Sequence, residues 1–259
     1  MWEEPCISGE SGSGAVFFSG CNLRCVYCQN SKISSALVGQ EVSVKRLAEI
    51  FINLQSQNAN NINLVTPSHY TGQIIEAISI ARAAGLTIPI VYNSSSYENA
   101  DTIRQLKDYV NVYLPDCKYY SDERAVKYSS APRYHEISLK AIDEMLNQTG
   151  EASFDENGMI KSGVIVRHLI LPGGIKDSKR VIKSLWEHFG NRIYYSIMNQ
   201  YTPMPGIEDK YPELAVKIKS REYDEVLDYA LDLGIENGFM QEGGTAEESF
   251  IPEFDLTGV

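Results

Sequence analysis

The chain has 259 residues and a net charge of −11, which is long enough for one sizeable hydrophobic core and near the upper size of a single domain. A surface this acidic repels phosphate backbones and anionic lipid, so we predict no nucleic-acid partner. No run of about 18 apolar residues is present, and the first residues are acidic where a signal peptide is basic, so we predict a cytoplasmic protein without a membrane partner.

Short β-rich segments alternate with amphipathic helical segments along the chain. Runs of β-branched and aromatic residues predict six strands, at 15–19, 62–66, 88–93, 112–114, 164–171 and 193–198. Helical periodicity predicts helices near 43–54, 73–84, 100–107, 137–146, 177–189 and 221–233, followed by an irregular tail from residue 241. Ser43 is the expected N-cap of the first of these helices.

This alternation predicts parallel strand pairing through right-handed crossovers. About six βα units favour an open or partial (β/α)6 TIM-like barrel, with a doubly wound sheet as the alternative. In both folds the chemistry lies at the carboxyl ends of the strands. We predict one domain over residues 1–259, with a core at about 14–200 and a C-terminal helix and tail at 201–259.

Three of the five cysteines, Cys21, Cys25 and Cys28, lie within eight residues directly after the first predicted strand. An odd number of cysteines without an export signal argues against a disulfide framework. It favours metal binding or redox chemistry instead.

The cysteine spacing is compatible with three arrangements. A helix face that carries three thiols is disfavoured because Gly20 breaks the preceding strand, and because clustered thiols oxidise unless a metal occupies them. A structural zinc site needs four N or S ligands, which His69 or Cys117 would have to complete. A 4Fe–4S cluster held by three thiolates keeps one iron open to a further ligand, as catalysis requires.

C-x3-C-x2-C with Tyr27 before the third cysteine resembles the motif of the radical S-adenosylmethionine (SAM) superfamily. The resemblance implies a partial barrel of the radical SAM type, in which the three cysteines bind a 4Fe–4S cluster and the open iron chelates SAM. It also implies an oxidoreductase in which one electron cleaves SAM to a 5′-deoxyadenosyl radical, which then takes a hydrogen atom from the substrate. A low-potential electron donor, flavodoxin or ferredoxin, is therefore an expected partner.

Further stretches resemble the PflX-type proteins, which are relatives of the pyruvate formate-lyase activating enzyme. They are GAVFFSGCNLRCVYCQN, NLVTPSHY, IPIVYNSSSYE, VYLPDCKYY, VRHLILP, MNQYTP and QEGGTAEESFIPEFD. This resemblance implies an activase that removes an α-hydrogen from a glycine of a glycyl radical enzyme. The alternatives are an enzyme that epimerises or rearranges a small molecule or peptide with the same cofactors, and a non-catalytic metal-binding interaction module.

Charged residues at two later strand ends match SAM contacts of the activating enzymes. Asp116 and Lys118 are two residues apart and project to one face of a strand. The resemblance implies that they hold SAM, with a monovalent cation beside the aspartate; a simple strand-end ion pair is the alternative. Arg167 interrupts an apolar strand and must be paired or solvated, and the resemblance implies a SAM contact. Cys117 and His168 are expected to point away from the site.

Three further residues complete the predicted SAM site. Asn93 and Ser94 end the third strand where activating enzymes carry Asp-Thr-Asn-Gly, so the resemblance implies contact with SAM or the cation; a turn is the alternative. Tyr27 is also expected to help hold SAM. The chain departs from the family where 66–68 (Thr-Pro-Ser) replaces a Gly-Gly-Glu run and where Ser96 replaces a glycine.

Overall fold

The computed structural model describes residues 4–240 together with residues 254, 256 and 258. Its strands are β1 (Gly14–Phe17), β2 (Ile62–Val65), β3 (Ile90–Ser94), β4 (Val112–Pro115), β5 (Ser153–Phe154), β6 (Ile160–Leu169), β7 (Tyr194–Met198) and β8 (Gly238–Met240). They form one sheet with the order β1-β2-β3-β4-β6-β7-β8, and β5 pairs with β6 alone. Every pairing along this path is parallel, whereas β5 runs antiparallel to β6.

The helices cover the outer face of this sheet or connect its strands. They are α1 (Pro5–Ser8), α2 (Ser31–Ser34), α3 (Val44–Ser56), α4 (Thr71–Ala83), α5 (Ala100–Arg104), α6 (Asp122–Ser129), α7 (Tyr134–Thr149), α8 (Ile175–Phe189) and α9 (Ser220–Asp232). The Ser43 hydroxyl accepts a hydrogen bond from the Arg46 amide at 3.1 Å, which confirms the predicted cap of α3. None of the helices in the described ranges has the length and apolarity that a bilayer span requires.

The parallel order and the alternation of strands with helices make a partial TIM-like barrel, as the sequence predicted. Its order begins with β1 and ends with β8, so these strands are the two edges of the described sheet. On β3, Tyr92 points outward into the core under the helices, while Val91 points inward into the lumen. Alternation of this kind separates a helix-covered core from a lumen.

The short helix α1 closes the amino end of the lumen. Cys6 and Ile7 are buried there against Val112 and Ile165. The Asn61 side-chain amide donates a hydrogen bond to the Ile7 carbonyl at 2.7 Å, which ties α1 to the start of β2. The lumen is therefore closed by α1 at this end, so a ligand enters from the other end.

All six predicted strands are present, and the structure adds elements that the sequence patterns did not reveal. The antiparallel pair makes β6 start at residue 160 instead of 164, and β8 follows the last long helix as a further parallel strand. The helices α1, α2 and α6 were also missed. They have four, four and eight residues, too few turns for helical periodicity to stand out from the surrounding loops. The division into a core and a C-terminal part stays a prediction.

Candidate functional site

The loop after β1 carries the three neighbouring cysteines. Gly20 has φ +88°, a left-handed conformation that glycine adopts without strain, and it turns the chain away from β1. Backbone amides of Arg24 and Val26 then donate to the carbonyls of Ser129 and Tyr128 at 3.0 and 2.9 Å. The end of α6, an element absent from the sequence predictions, therefore fixes the cysteine loop.

The three cysteines of this loop are free and partly buried. Burial is the largest cause that raises the pKa of Cys21, and it raises the pKa of Cys25 to about 11, with the charges of Cys28 and Cys21 adding to the effect. Lys118 lowers both pKa values in part. The lysine that follows β4 thus lies within electrostatic reach of the loop that follows β1.

Four of the predicted residues form one polar chain at the ends of three strands. The Lys118 ammonium lies 2.6 Å from Oδ2 of Asp116, and Nε of Arg167 lies 3.2 Å from Oδ1 of the same carboxylate. Arg167 also donates through Nη2 to Oδ1 of Asn93 at 2.6 Å. Burial raises the pKa of Asp116, but the two cations outweigh it, so the net pKa lies below the usual value.

This chain of side chains carries two positive charges and one negative charge. Burial is the largest single effect on the pKa of Lys118 and lowers it, but Asp116, Cys25 and Tyr134 together raise it by more, so the net pKa lies above the usual value and the ammonium stays protonated. The surplus positive charge suits a ligand that carries a carboxylate. The strand-end ion pair considered from the sequence exists, but it belongs to a larger network.

Tyr27 anchors the cysteine loop to a buried aromatic cluster. Its hydroxyl lies 2.6 Å from that of Tyr119, which lies 2.7 Å from the Ser129 hydroxyl. Ser129 donates to Sγ of Cys25 at 3.0 Å. A continuous hydrogen-bond chain therefore runs from Tyr27 through α6 to a predicted cluster ligand.

Two loops at the strand ends have left-handed backbone without glycine. Thr66, where the superfamily pattern has glycine, has φ +58°, and Ser96 has φ +55°. Such values are uncommon for residues other than glycine and unusual for a β-branched one. The buried Ser96 hydroxyl donates to the Asp116 carbonyl and also contacts the Ser138 hydroxyl. These contacts hold the turn conformation that a glycine adopts without support.

Ser94 differs from Asn93, its neighbour on β3. Its hydroxyl accepts a hydrogen bond from the Ser96 amide at 3.2 Å and interacts with the buried Glu98 carboxyl, so it stabilises the loop as well as lining the cavity. Its contact with SAM stays a prediction.

Cys117 and His168 point away from the site, as expected. Cys117 is buried in the core under the helices, 4.0 Å from Nδ1 of His135. His168 donates through Nδ1 to the Cys117 carbonyl at 2.7 Å, but its Nε2 has no partner among the described residues, so this histidine is only half satisfied. Within those residues no three Cys, His, Asp or Glu side chains are grouped as a single metal ion requires.

One cavity of about 540 Å³ brings the whole predicted set together. All nine residues proposed from the sequence line it: Cys21, Cys25, Tyr27, Cys28, Asn93, Ser94, Asp116, Lys118 and Arg167. The cavity also has a lining residue that the sequence analysis missed, Asn63 on β2. An asparagine inside the apolar run Ile62–Val65 is the sequence signal that could have revealed it.

Comparison with known proteins agrees with this arrangement. The model of the radical SAM superfamily matches residues 15–173, from β1 to the loop after β6. The chain belongs to the radical SAM superfamily. Members of this superfamily are enzymes that use a 4Fe–4S cluster and SAM to generate a radical.

Two curated proteins are similar in sequence to parts of this chain. An uncharacterized protein of Methanocaldococcus jannaschii, MJ0674, is 26% identical over 235 residues, which are 85% of this chain and 64% of the relative. The 7-carboxy-7-deazaguanine synthase of Methanothermobacter thermautotrophicus is 28% identical over 109 residues, which are 41% of this chain and 43% of the relative. The chain thus spans less than two thirds of the length of either relative.

Solved radical SAM structures share the fold at low sequence identity. SuiB of Streptococcus suis bound to S-adenosylmethionine superposes with a TM-score of 0.58 over 88% of this chain and 50% of that protein, at 13% identity. At this identity the likeness establishes the fold alone.

Proposed function

We propose that this chain is an activase-like radical SAM enzyme that takes a hydrogen atom from a glycine of a partner protein. The observation that carries the assignment is the single cavity lined by all nine predicted residues. It combines three thiols with a cationic network, which are the two kinds of group that a cluster and an amino-acid cofactor need.

Cys21, Cys25 and Cys28 fit a 4Fe–4S cluster. In a cube each cysteine binds its own iron, so the sulfurs need not converge on one point as the ligands of a single ion do. All three thiols are free and line the same wall. Cluster and SAM, when bound, supply radical hydrogen abstraction at this wall.

The residues of the cationic network are proposed to bind and orient SAM. Lys118 and Arg167 supply positive charge for a carboxylate, while Asn93 offers an amide and Tyr27 an aromatic wall beside Cys28. Both oxygens of Asp116 already contact cationic side chains, so a monovalent cation at this carboxylate would share it with Lys118 and Arg167. The cation therefore stays a sequence-based prediction.

Two further features support a protein substrate. The described sheet ends at β1 and β8 without closing, and a barrel open at one side admits a loop of another protein. Six of the PflX-type stretches noted in the sequence also contain residues that line the cavity. A low-potential donor, flavodoxin or ferredoxin, would deliver the electron.

The runner-up is an enzyme that modifies a small molecule with the same cofactors. The observation that favours it is the partial similarity to a 7-carboxy-7-deazaguanine synthase. That similarity spans less than half of this chain, so we rank it second.

Anaerobic reconstitution tests the proposal in two steps. The first step measures iron per chain and the conversion of SAM to 5′-deoxyadenosine with a strong reductant; about four irons and clear product are expected. The second step adds deuterated cell-extract fractions and asks which fraction delivers deuterium to 5′-deoxyadenosine. Delivery from a protein fraction that gains a glycyl radical signal in electron paramagnetic resonance supports the activase. Delivery from a small-molecule fraction alone replaces it with the runner-up.

A further inference from the structure

Asn63 lies on the lumen face of β2, deeper in the cavity than the network of charged residues. Its strand neighbours are Ala15 on β1 and Val91 on β3. Because Val65 pairs with Asn93, Asn63 lies two residues below the level of Asn93, or about 7 Å along the strand. It therefore belongs to a lower compartment of the same cavity.

The Asn63 side chain is fully buried, and neither its amide nitrogen nor its oxygen has a hydrogen-bond partner among the described residues. Most buried polar side-chain atoms in proteins are paired, and leaving them unpaired destabilises the fold. Leucine has a similar size and would fill this position without that penalty. The amide is thus a group whose partner has to come from the cavity that it lines.

The lower compartment lacks charge in the described part of the chain. The charged lining residues, Asp116, Lys118 and Arg167, stand at the strand ends and contact one another. Around the lower part, the lining consists of small neutral residues: Ser8, Gly12, Ser13 and Ala15. A carboxamide in neutral surroundings presents a donor and an acceptor side by side, which matches the N–H and C=O of one residue in an extended peptide, since both point to the same side.

The shape of this compartment favours an extended chain. Ala15 and Phe17, on the same face of the edge strand β1, are both exposed and line the cavity. A residue of this protein's own tail already reaches that face, because the Phe254 ring meets the Phe17 ring edge to face at 5.4 Å. The face therefore accepts polypeptide.

We infer that Asn63 binds the backbone N–H and C=O of one residue in an extended substrate segment and so places a glycine of that segment below the radical-generating site. This inference rests on the proposed function and specifies its substrate as a neutral peptide segment. Asn63 is then a substrate-binding residue with no contact to the cluster ligands.

Binding of a minimal peptide unit tests the inference without turnover. The probe is N-acetylglycine N-methylamide, and the control is methyl acetoxyacetate, in which oxygen replaces both N–H groups. Dissociation constants are measured by ligand-observed NMR on the reconstituted protein with SAM and without reductant. Asn63→Leu should weaken binding of the amide about tenfold, the combined effect of two hydrogen bonds, and the ester should bind the wild type similarly weakly.

Two further variants make the result decisive. Asn53→Leu, the same change at an exposed position of α3, should leave binding unaltered. Asn63→Val, which removes the donor and the acceptor without adding another polar group, should bind the amide as weakly as Asn63→Leu. Equal binding of amide and ester, or unchanged binding by the Asn63 variants, overturns the inference.

Thermal unfolding separates ligand binding from a structural role. Because Asn63→Leu removes two unpaired buried atoms, its unfolding temperature should equal or exceed that of the wild type. A clearly lower temperature would mean that Asn63 stabilises the fold, which contradicts the inference.

Turnover of the α-dideuterated probe distinguishes this inference from the proposed function. If the wild type transfers deuterium to 5′-deoxyadenosine and Asn63→Leu does not, the result supports the peptide site and the proposed function together. If the probe binds through Asn63 but transfers no deuterium, the peptide site stands and hydrogen abstraction from glycine fails.

Discussion

The two ends of the barrel lumen carry cysteines with opposite surroundings. At the amino end, burial raises the pKa of Cys6 to about 12, and this thiol packs with Ile7 among aliphatic side chains. At the carboxyl end, Cys21, Cys25 and Cys28 share a cavity wall with Lys118. The difference shows that position in the barrel, more than the residue type, separates a packing cysteine from a predicted ligand.

Removal of a carboxyl-end thiol should have the largest effect. Cys25→Ala leaves two of three proposed cluster ligands, so the reconstituted protein should lose its cluster and at least 100-fold of its SAM cleavage, about 2.7 kcal/mol in rate terms. Iron analysis and 5′-deoxyadenosine yield measure both. Cys6→Ala is the matched control and should keep cluster and activity. Loss of the cluster in the control, or its retention in Cys25→Ala, would erase the distinction between the two ends.

A substitution at the amino end of the lumen should change the stability of the fold instead. Ile7 is fully buried in the contact between α1 and the lumen, so Ile7→Ala should lower the free energy of unfolding by about 3 kcal/mol. Chemical denaturation of the metal-free chain measures it. Ile80→Ala, at an exposed position of α4, should change it by less than about 0.5 kcal/mol. A small effect at Ile7 would mean that α1 does not close the lumen.

The charged network at the carboxyl end should determine SAM affinity. Lys118→Met removes one cation, so the dissociation constant for SAM should rise at least about tenfold, as expected for one charge-assisted hydrogen bond. Lys140→Met, on the exposed face of α7, is the control. Equilibrium dialysis measures both.

The same substitution has an expected pH dependence. The pKa of Asp116 lies below its usual value and that of Lys118 above, so both groups stay charged between pH 6 and 9. The ratio of the two dissociation constants should therefore be flat across this window. A ratio that collapses within it would show that the pair titrates and does not act as a fixed charge.

The smallest effect concerns the hydrogen bond to Cys25. Ser129→Ala removes a hydrogen-bond donor to this sulfur, and the loss of the donor stabilises the oxidised cluster relative to the reduced one. The reduction potential should therefore fall by on the order of 50 mV, which is close to a tenfold change in the equilibrium constant for one electron. Redox titration followed by electron paramagnetic resonance measures the shift. Ser79→Ala on α4 should leave the potential unchanged, and an equal shift there would remove the role assigned to Ser129.

The sequence by itself determined the barrel class, its six principal strands and all nine residues proposed for the site. Strand and helix periods are local, and parallel strands bring their carboxyl ends to one edge, so residues after several strands meet without any knowledge of side-chain contacts. This pattern placed Asp116 and Lys118, just after β4, near Arg167 on β6, whereas their proposed contact with SAM came from the resemblance to the activating enzymes.

Only the tertiary structure decided which groups surround those residues. Ser129 lies 104 positions from the thiol to which it donates, and α1 closes a lumen formed by strands far along the chain. The sequence shows Asn63 only as a polar residue in an apolar run, because the lack of a hydrogen-bond partner for its amide is visible only once the surrounding side chains are placed. Such features depend on long-range packing, which local patterns do not encode.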